Sequence, residues 1–176
     1  MASTPENPEA SQLILWERLA IARVEVEEWD LALLAAEHQF AQSKTLAAEA
    51  KALLSKARAL TGKGEFDAAR EATREGSQRQ KEGRVGAMLI LQLGDIEFAQ
   101  KNFEEAAELY IVPATTFDDP GITPTALWKT VRAIPSKLDT LSAAQRSGEV
   151  GKGLLEKKTE LQGELSKRFP SFKAPS

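Results

Sequence analysis

Three aromatic residues set at one fixed interval constrain this chain more than any other feature. Trp29-Asp30, Phe66-Asp67 and Phe103-Glu104 are aromatic–acid pairs, and their aromatics stand 37 residues apart both times. Three residues after each aromatic comes an alanine: Ala32, Ala69 and Ala106. A short polar or glycine-containing break precedes each pair, at Glu27-Glu28, Gly62-Lys63-Gly64 and Lys101-Asn102. Upstream of each break, apolar residues recur every three or four positions: Trp16, Leu19, Ala20 and Val24; Leu53, Ala57 and Leu60; Ile90, Leu93, Gly94 and Phe98. Such spacing draws one stripe along a helix. The unit is therefore helix, tight turn, helix, and a period of this size is the signature of a stacked array. A lone hairpin cannot bury its apolar stripe, so successive hairpins share it. The aromatic that opens each second helix is expected to plug the gap within its hairpin. The alanine three residues on is expected to mark the closest approach of the two helices.

Composition agrees with this reading. The chain has 27 alanines but only 6% aromatics, which suits closely packed helices, because alanine costs least in a helix and lets backbones approach. A length of 176 residues is room for one domain. The absence of cysteine removes disulfides, thiolate metal sites and thiol nucleophiles together. With 23 basic against 26 acidic residues, the charge balance argues against a nucleic-acid binder, which needs a basic face. The first ten residues, MASTPENPEA, hold prolines and glutamates where a leader carries basic residues, and Glu17 and Arg18 interrupt the apolar stretch that follows. No apolar run approaches the ~18 residues that a spanning helix needs. The expectation is a cytoplasmic protein without membrane insertion, or a periplasmic one if the sequence is an excised domain.

Beyond the third aromatic the pattern loosens. Pro113 is expected to stop the sixth helix, and residues 115–124 (TTFDDPGITP) form a turn-rich connection. Ala126, Leu127, Val131, Ile134 and Leu138 restore helical spacing, with Pro135 expected to kink or split that helix. Gly148, Gly151 and Gly153 are read as a further break. The last helix carries Leu154, Leu161, Leu165 and Phe169 on one face, with Glu164 and Arg168 as a surface pair. The organisation expected is a flexible tail over 1–10, one helical-repeat domain over 11–170, and a second tail over 171–176. Its units span about 13–46, 50–83, 87–120 and 124–170, giving about eight helices.

In these residues the chain resembles the tetratricopeptide-repeat family. The third unit, from Leu93-Gly94 through Phe103 and Ala106 to Tyr110, matches that family's leucine-glycine pair, helix-B aromatic, small residue and later tyrosine. Trp16, Leu19 and Ala20 match in the first unit, and Leu53, Ala57, Phe66 and Ala69 in the second. Arg23 and Glu97 depart from the usual helix-A tyrosine, Lys56 from the second unit's leucine, and Gly76 and Pro113 from the late alanine. The 37-residue period and the closing segment Glu160–Pro170 are similar to the repeats of bacterial cell-envelope, Tol-Pal-associated members of the family. The resemblance implies an all-α, right-handed array of stacked antiparallel hairpins. It also implies a protein-binding function in a concave groove lined by the first helix of each unit.

Counted in register, that lining is Ile14, Glu17 and Ile21 in the first unit and Lys51, Leu54 and Arg58 in the second. Met88, Leu91, Asp95 and Phe98 follow in the third, then Thr125, Trp128 and Arg132 in the fourth. The candidate site comprises Lys51, Leu54, Arg58, Met88, Leu91, Asp95, Phe98, Trp128 and Arg132. This mixed surface suits an amphipathic helix or an extended segment bearing an acid. Its apolar members also have a plainer role, filling the interior of a short superhelix. The lysine–asparagine clamp of the family's chaperone-binding members is absent, since Glu17, Ile21, Ser55, Met88 and Gln92 hold those positions.

Catalytic readings fail on chemistry. Gly148-Glu149-Val150-Gly151-Lys152-Gly153 lacks a phosphate loop's first glycine, because Arg146 stands there, and has Gly153 where a hydroxyl would hold magnesium. Asp118-Asp119 supplies too few oxygens for calcium. His38 has no nucleophile and orienting partner evident beside it. The sequence therefore points to an interaction module with no catalysis, metal or cofactor, whose partner is a protein or peptide. The alternative is a self-associating assembly subunit.

Overall fold

The computed structural model describes residues 8–174. Nine helices and no strand occur among them: α1 (Pro8–Glu25), α2 (Trp29–Gln42), α3 (Leu46–Lys63), α4 (Phe66–Arg79), α5 (Gly83–Ala99), α6 (Phe103–Thr116), α7 (Thr123–Thr140), α8 (Ala143–Ser147) and α9 (Glu149–Arg168). The chain divides into two compact units, one ending at Gln92 and the other beginning at Leu93. Consecutive helices pack as antiparallel pairs, so the fold is an all-α array of hairpins.

The period has a backbone cause. Glu27, Gly64 and Lys101, each 37 residues from the next, have φ of 59°, 80° and 66°. In each turn the residue that follows donates its N–H five residues back, Glu28 to Arg23, Glu65 to Leu60 and Asn102 to Glu97, all at 2.9 Å. The left-handed residue itself donates to Val24, Thr61 or Phe98. This is the Schellman stop, which satisfies the last carbonyls of the first helix while reversing the chain. Only Gly64 meets it with the residue that takes positive φ without steric penalty; Glu27 and Lys101 take it at a cost of about 1 kcal/mol each. Gly62 and Lys63, read as part of the break, belong to α3.

The alanines behave as the spacing suggests. Ala32, Ala69 and Ala106 are fully buried. One interval apart on the first helices, Ala20, Ala57 and Gly94 are buried too. The aromatics differ: Trp29, Phe66 and Phe103 are half-buried. The Trp29 ring lies over α3, so close that a Cβ on Gly62 would sit 2.5 Å from it. It thus seals the junction to the following hairpin, while Phe103 meets Phe98 of its own hairpin edge to face at 5.1 Å. Tyr110 does the equivalent work inside its own pair, its ring pressed on Gly94 of α5. The acid beside each aromatic also acquires a partner. Lys63 Nζ donates to Asp30 at 2.8 Å, and Lys137, two intervals beyond Lys63, pairs with Glu104, so each lysine at the end of a first helix reaches back 33 residues.

Several expectations require correction. Helix α1 begins at Pro8, inside the stretch read as a tail; residues 1–7, and 175–176 at the other end, lie outside the described residues. Pro113 does not stop α6, which continues one turn to Thr116, and Pro135 does not split α7. Each proline costs one internal bond, yet both rings find cover, Pro113 in a buried position and Pro135 in a half-buried one. Of the three glycines near 150, only Gly148 breaks the chain, between α8 and α9. Gly151 and Gly153 lie within α9, and Gly151 has no room for a Cβ because the Arg146 carbonyl occupies that space. The one-turn α8 opens with a capping box between Ser142 and Gln145. Glu164 and Arg168 do pair, and Arg168 also reaches Asp118 at 3.0 Å, tying α9 to the α6–α7 loop.

Candidate functional site

The lining residues fall on both compact units, and their environments differ. In the first unit, Leu54 is 3% exposed and clusters with Ala50 and Leu89, with Val85 and Met88 packed against them. Leu54 and Met88 therefore contribute to the core between α3 and α5. Leu91 is buried, Arg58 is half-buried, and Lys51 is exposed with its ammonium 3.3 Å from Glu17 of α1. Nearby, Gln92 is buried and donates to Thr61 at 2.9 Å. Of these residues only Lys51 presents an exposed charge.

In the second unit the remaining four residues come together. Asp95 and Phe98 project from α5, and Trp128 and Arg132 from adjacent turns of α7. The Arg132 guanidinium carbon lies 5.2 Å from the centre of the Phe98 ring and 5.4 Å from that of Trp128. Phe98 is held in turn by Phe103, edge to face at 5.1 Å. Asp95 accepts the Tyr110 hydroxyl at 2.7 Å and the Lys129 ammonium on both carboxylate oxygens. Lys129 also stands 5.5 Å from the Tyr110 ring centre. Burial holds the Tyr110 phenol well above its usual pKa, the Asp95 charge adds to that, and Arg132 opposes it. Tyr110 is thus a fixed donor to Asp95 at neutral pH.

The arrangement is built to hold a cation in place. Asp95 is occupied by Tyr110 and Lys129, while Arg132 is exposed and lies over two rings. A guanidinium stacked on aromatic faces keeps its planar fork of donors directed outward, which fits a carboxylate bidentately. Sequence reasoning placed Asp95, Phe98, Trp128 and Arg132 on this face but missed Lys129 and the bond from Tyr110. A readable signal existed, because Lys129 and Arg132 are i, i+3 neighbours beside Trp128.

Other features stand apart from this cluster. A cavity of about 570 Å³ is lined by Lys101, Phe103, Glu104, Glu105, Glu108 and Lys137, among others, and by none of the lining residues named above. His38 is exposed and stacks on Trp16 with ring centres 4.5 Å apart. Asp118 pairs with Arg168, and Asp119 accepts the Gly121 N–H at 2.7 Å, as in an ordinary turn. No helix among the described residues is long and apolar enough to cross a membrane.

These features define an all-helical hairpin array with a cation–aromatic cluster on one unit. Compared with known proteins, the chain matches no family model, no curated protein sequence and no solved structure. The tetratricopeptide resemblance therefore rests on the residues quoted for it.

Proposed function

We propose that this chain is a non-catalytic protein-interaction module of tetratricopeptide type, which captures an acidic side chain or terminus of a partner peptide or helix at Arg132. What carries the reading is the Arg132 guanidinium, exposed and lying over both Phe98 and Trp128. Trp128 supplies apolar surface for a neighbouring partner side chain, and Asp95, satisfied by Tyr110 and Lys129, keeps α5 and α7 in register. A stacked arginine loses little freedom on binding, so the charge-assisted bonds it makes are retained in the net affinity.

The test is selection of a random peptide library on the wild-type protein and on the Arg132→Ala/Trp128→Ala variant, with circular dichroism confirming equal helicity. The expected result is enrichment of peptides that set an Asp, a Glu or a free carboxyl terminus beside an apolar residue, on wild type alone. Enrichment of the same peptides on both proteins would place binding elsewhere.

A further inference from the structure

The first hairpin exposes a face that the rest of the array covers. On α1, Leu15, Arg18, Leu19 and Ala22 follow one another at helical spacing, and all four are exposed. One interval on, α3 carries Ala52, Ser55, Lys56 and Ala59 at the same positions. Three of these are buried and Lys56 is half-buried, because this side of a first helix faces the preceding hairpin. The next interval brings Leu89, fully buried against Gly76 of α4, and Gln92, also buried. Leu15 therefore occupies a position that the following units bury completely, yet it is 63% exposed.

The same hairpin departs from its sisters on α2. Leu34 is 51% exposed, and its counterparts one and two intervals on are Glu71 and Glu108. Trp16 stacks on His38, so the antiparallel pairing sets Leu34, one turn before His38, beside Leu19. Val26 extends the α1 stripe by a further turn. This outward side of the first hairpin is apolar, where its counterparts on the following units are covered.

We propose that this face is a homodimer interface, in which α1 of one copy packs antiparallel against α1 of a second about a two-fold axis. Charge selects this occupant. Within the stripe from Leu15 to Val26 the charged residues are Arg18 and, two turns on, Glu25. An antiparallel pair brings Arg18 of each copy toward Glu25 of the other, so a second copy supplies complementary charge twice. The interface is isologous. Leu15, Leu19, Val26, Leu31 and Leu34 together expose on the order of 450 Å² of apolar surface per copy, within the ~300–600 Å² of a monomer's largest patch, which is often a functional one. Burying it on both copies removes about 900 Å² before any polar rim is counted, against the ~1,200 Å² at which specific interfaces begin. This interface is independent of the Arg132 cluster, and either can fail without the other.

Sedimentation velocity from low to high micromolar concentration tests it. Wild type is expected to double in mass, whereas Leu15→Glu/Leu19→Glu stays monomeric with unchanged helicity. Arg18→Glu is expected to weaken the dimer at least tenfold, and Arg18→Glu/Glu25→Arg to restore it, since the exchanged charges again face each other. A wild-type monomer throughout overturns the proposal, including one that binds lipid vesicles or peptides through Leu15. A dimer that persists in Leu15→Glu/Leu19→Glu, or that the charge exchange fails to restore, overturns it equally.

Discussion

Tyr110 concentrates much of the second unit's chemistry in one side chain. Its ring occupies the space a larger residue at Gly94 would need, and its hydroxyl donates to Asp95. The phenol's pKa is raised in the folded state above the roughly 10 of an unfolded chain, chiefly by burial. The folded protein therefore keeps a proton that the unfolded chain gives up. Stability from this group is full below about pH 10 and falls as pH rises beyond it. Because Tyr110 is the only tyrosine, tyrosinate absorbance reports on it alone. We expect no ionisation near pH 10 in the native protein, and appearance of tyrosinate only as the helical signal is lost. A smooth native titration near pH 10 would contradict the burial. Tyr110→Phe is expected to cost about 1.5–3 kcal/mol at neutral pH, the range for a hydrogen bond to a charged group, and to flatten the alkaline loss.

At the scale of helices, what was legible followed from periodicity, and what was not followed from local conformation. The 37-residue spacing of aromatics and alanines located every hairpin of the first three units, because burial recurs with the repeat. Glu27 and Lys101 hid their left-handed turns, since neither carries the glycine that announces one. Pro113 and Pro135 misled in the opposite direction, because burial in the array overrides their cost to the helix. Glycine substitution separates local propensity from packing. Gly163 lies in α9 with open space where a Cβ would go, so Gly163→Ala is expected to stabilise by about 0.5–1 kcal/mol. Gly62 is equally helical but meets the Trp29 ring, so Gly62→Ala is expected to destabilise by about 1–3 kcal/mol. Chemical denaturation of both variants measures the pair, and a gain at Gly62 would mean that Trp29 does not seal the α2–α3 junction.

For the molecule as a whole, the candidate site was legible as a set of positions but not as a set of environments. Register alone placed Leu54 and Arg132 on equivalent helix faces. It could not show that Leu54 and Met88 pack into a core with Leu89, or that Arg132 stays exposed over two rings. Those outcomes depend on which neighbours are large, and only packing reveals them. The apolar outer face of the first hairpin was hidden for the same reason, since Leu19 read as ordinary core stripe and Leu15 fell outside that stripe. The first three hairpins share one backbone unit, repeated at 37 residues, and their side chains vary upon it. The most direct measurement is a backbone NMR assignment with chemical-shift-derived torsions for Glu27, Gly64 and Lys101. Positive φ is expected at all three, each flanked by helical shifts ending and resuming at the same offsets. Helical or extended shifts at Glu27 or Lys101 would contradict it.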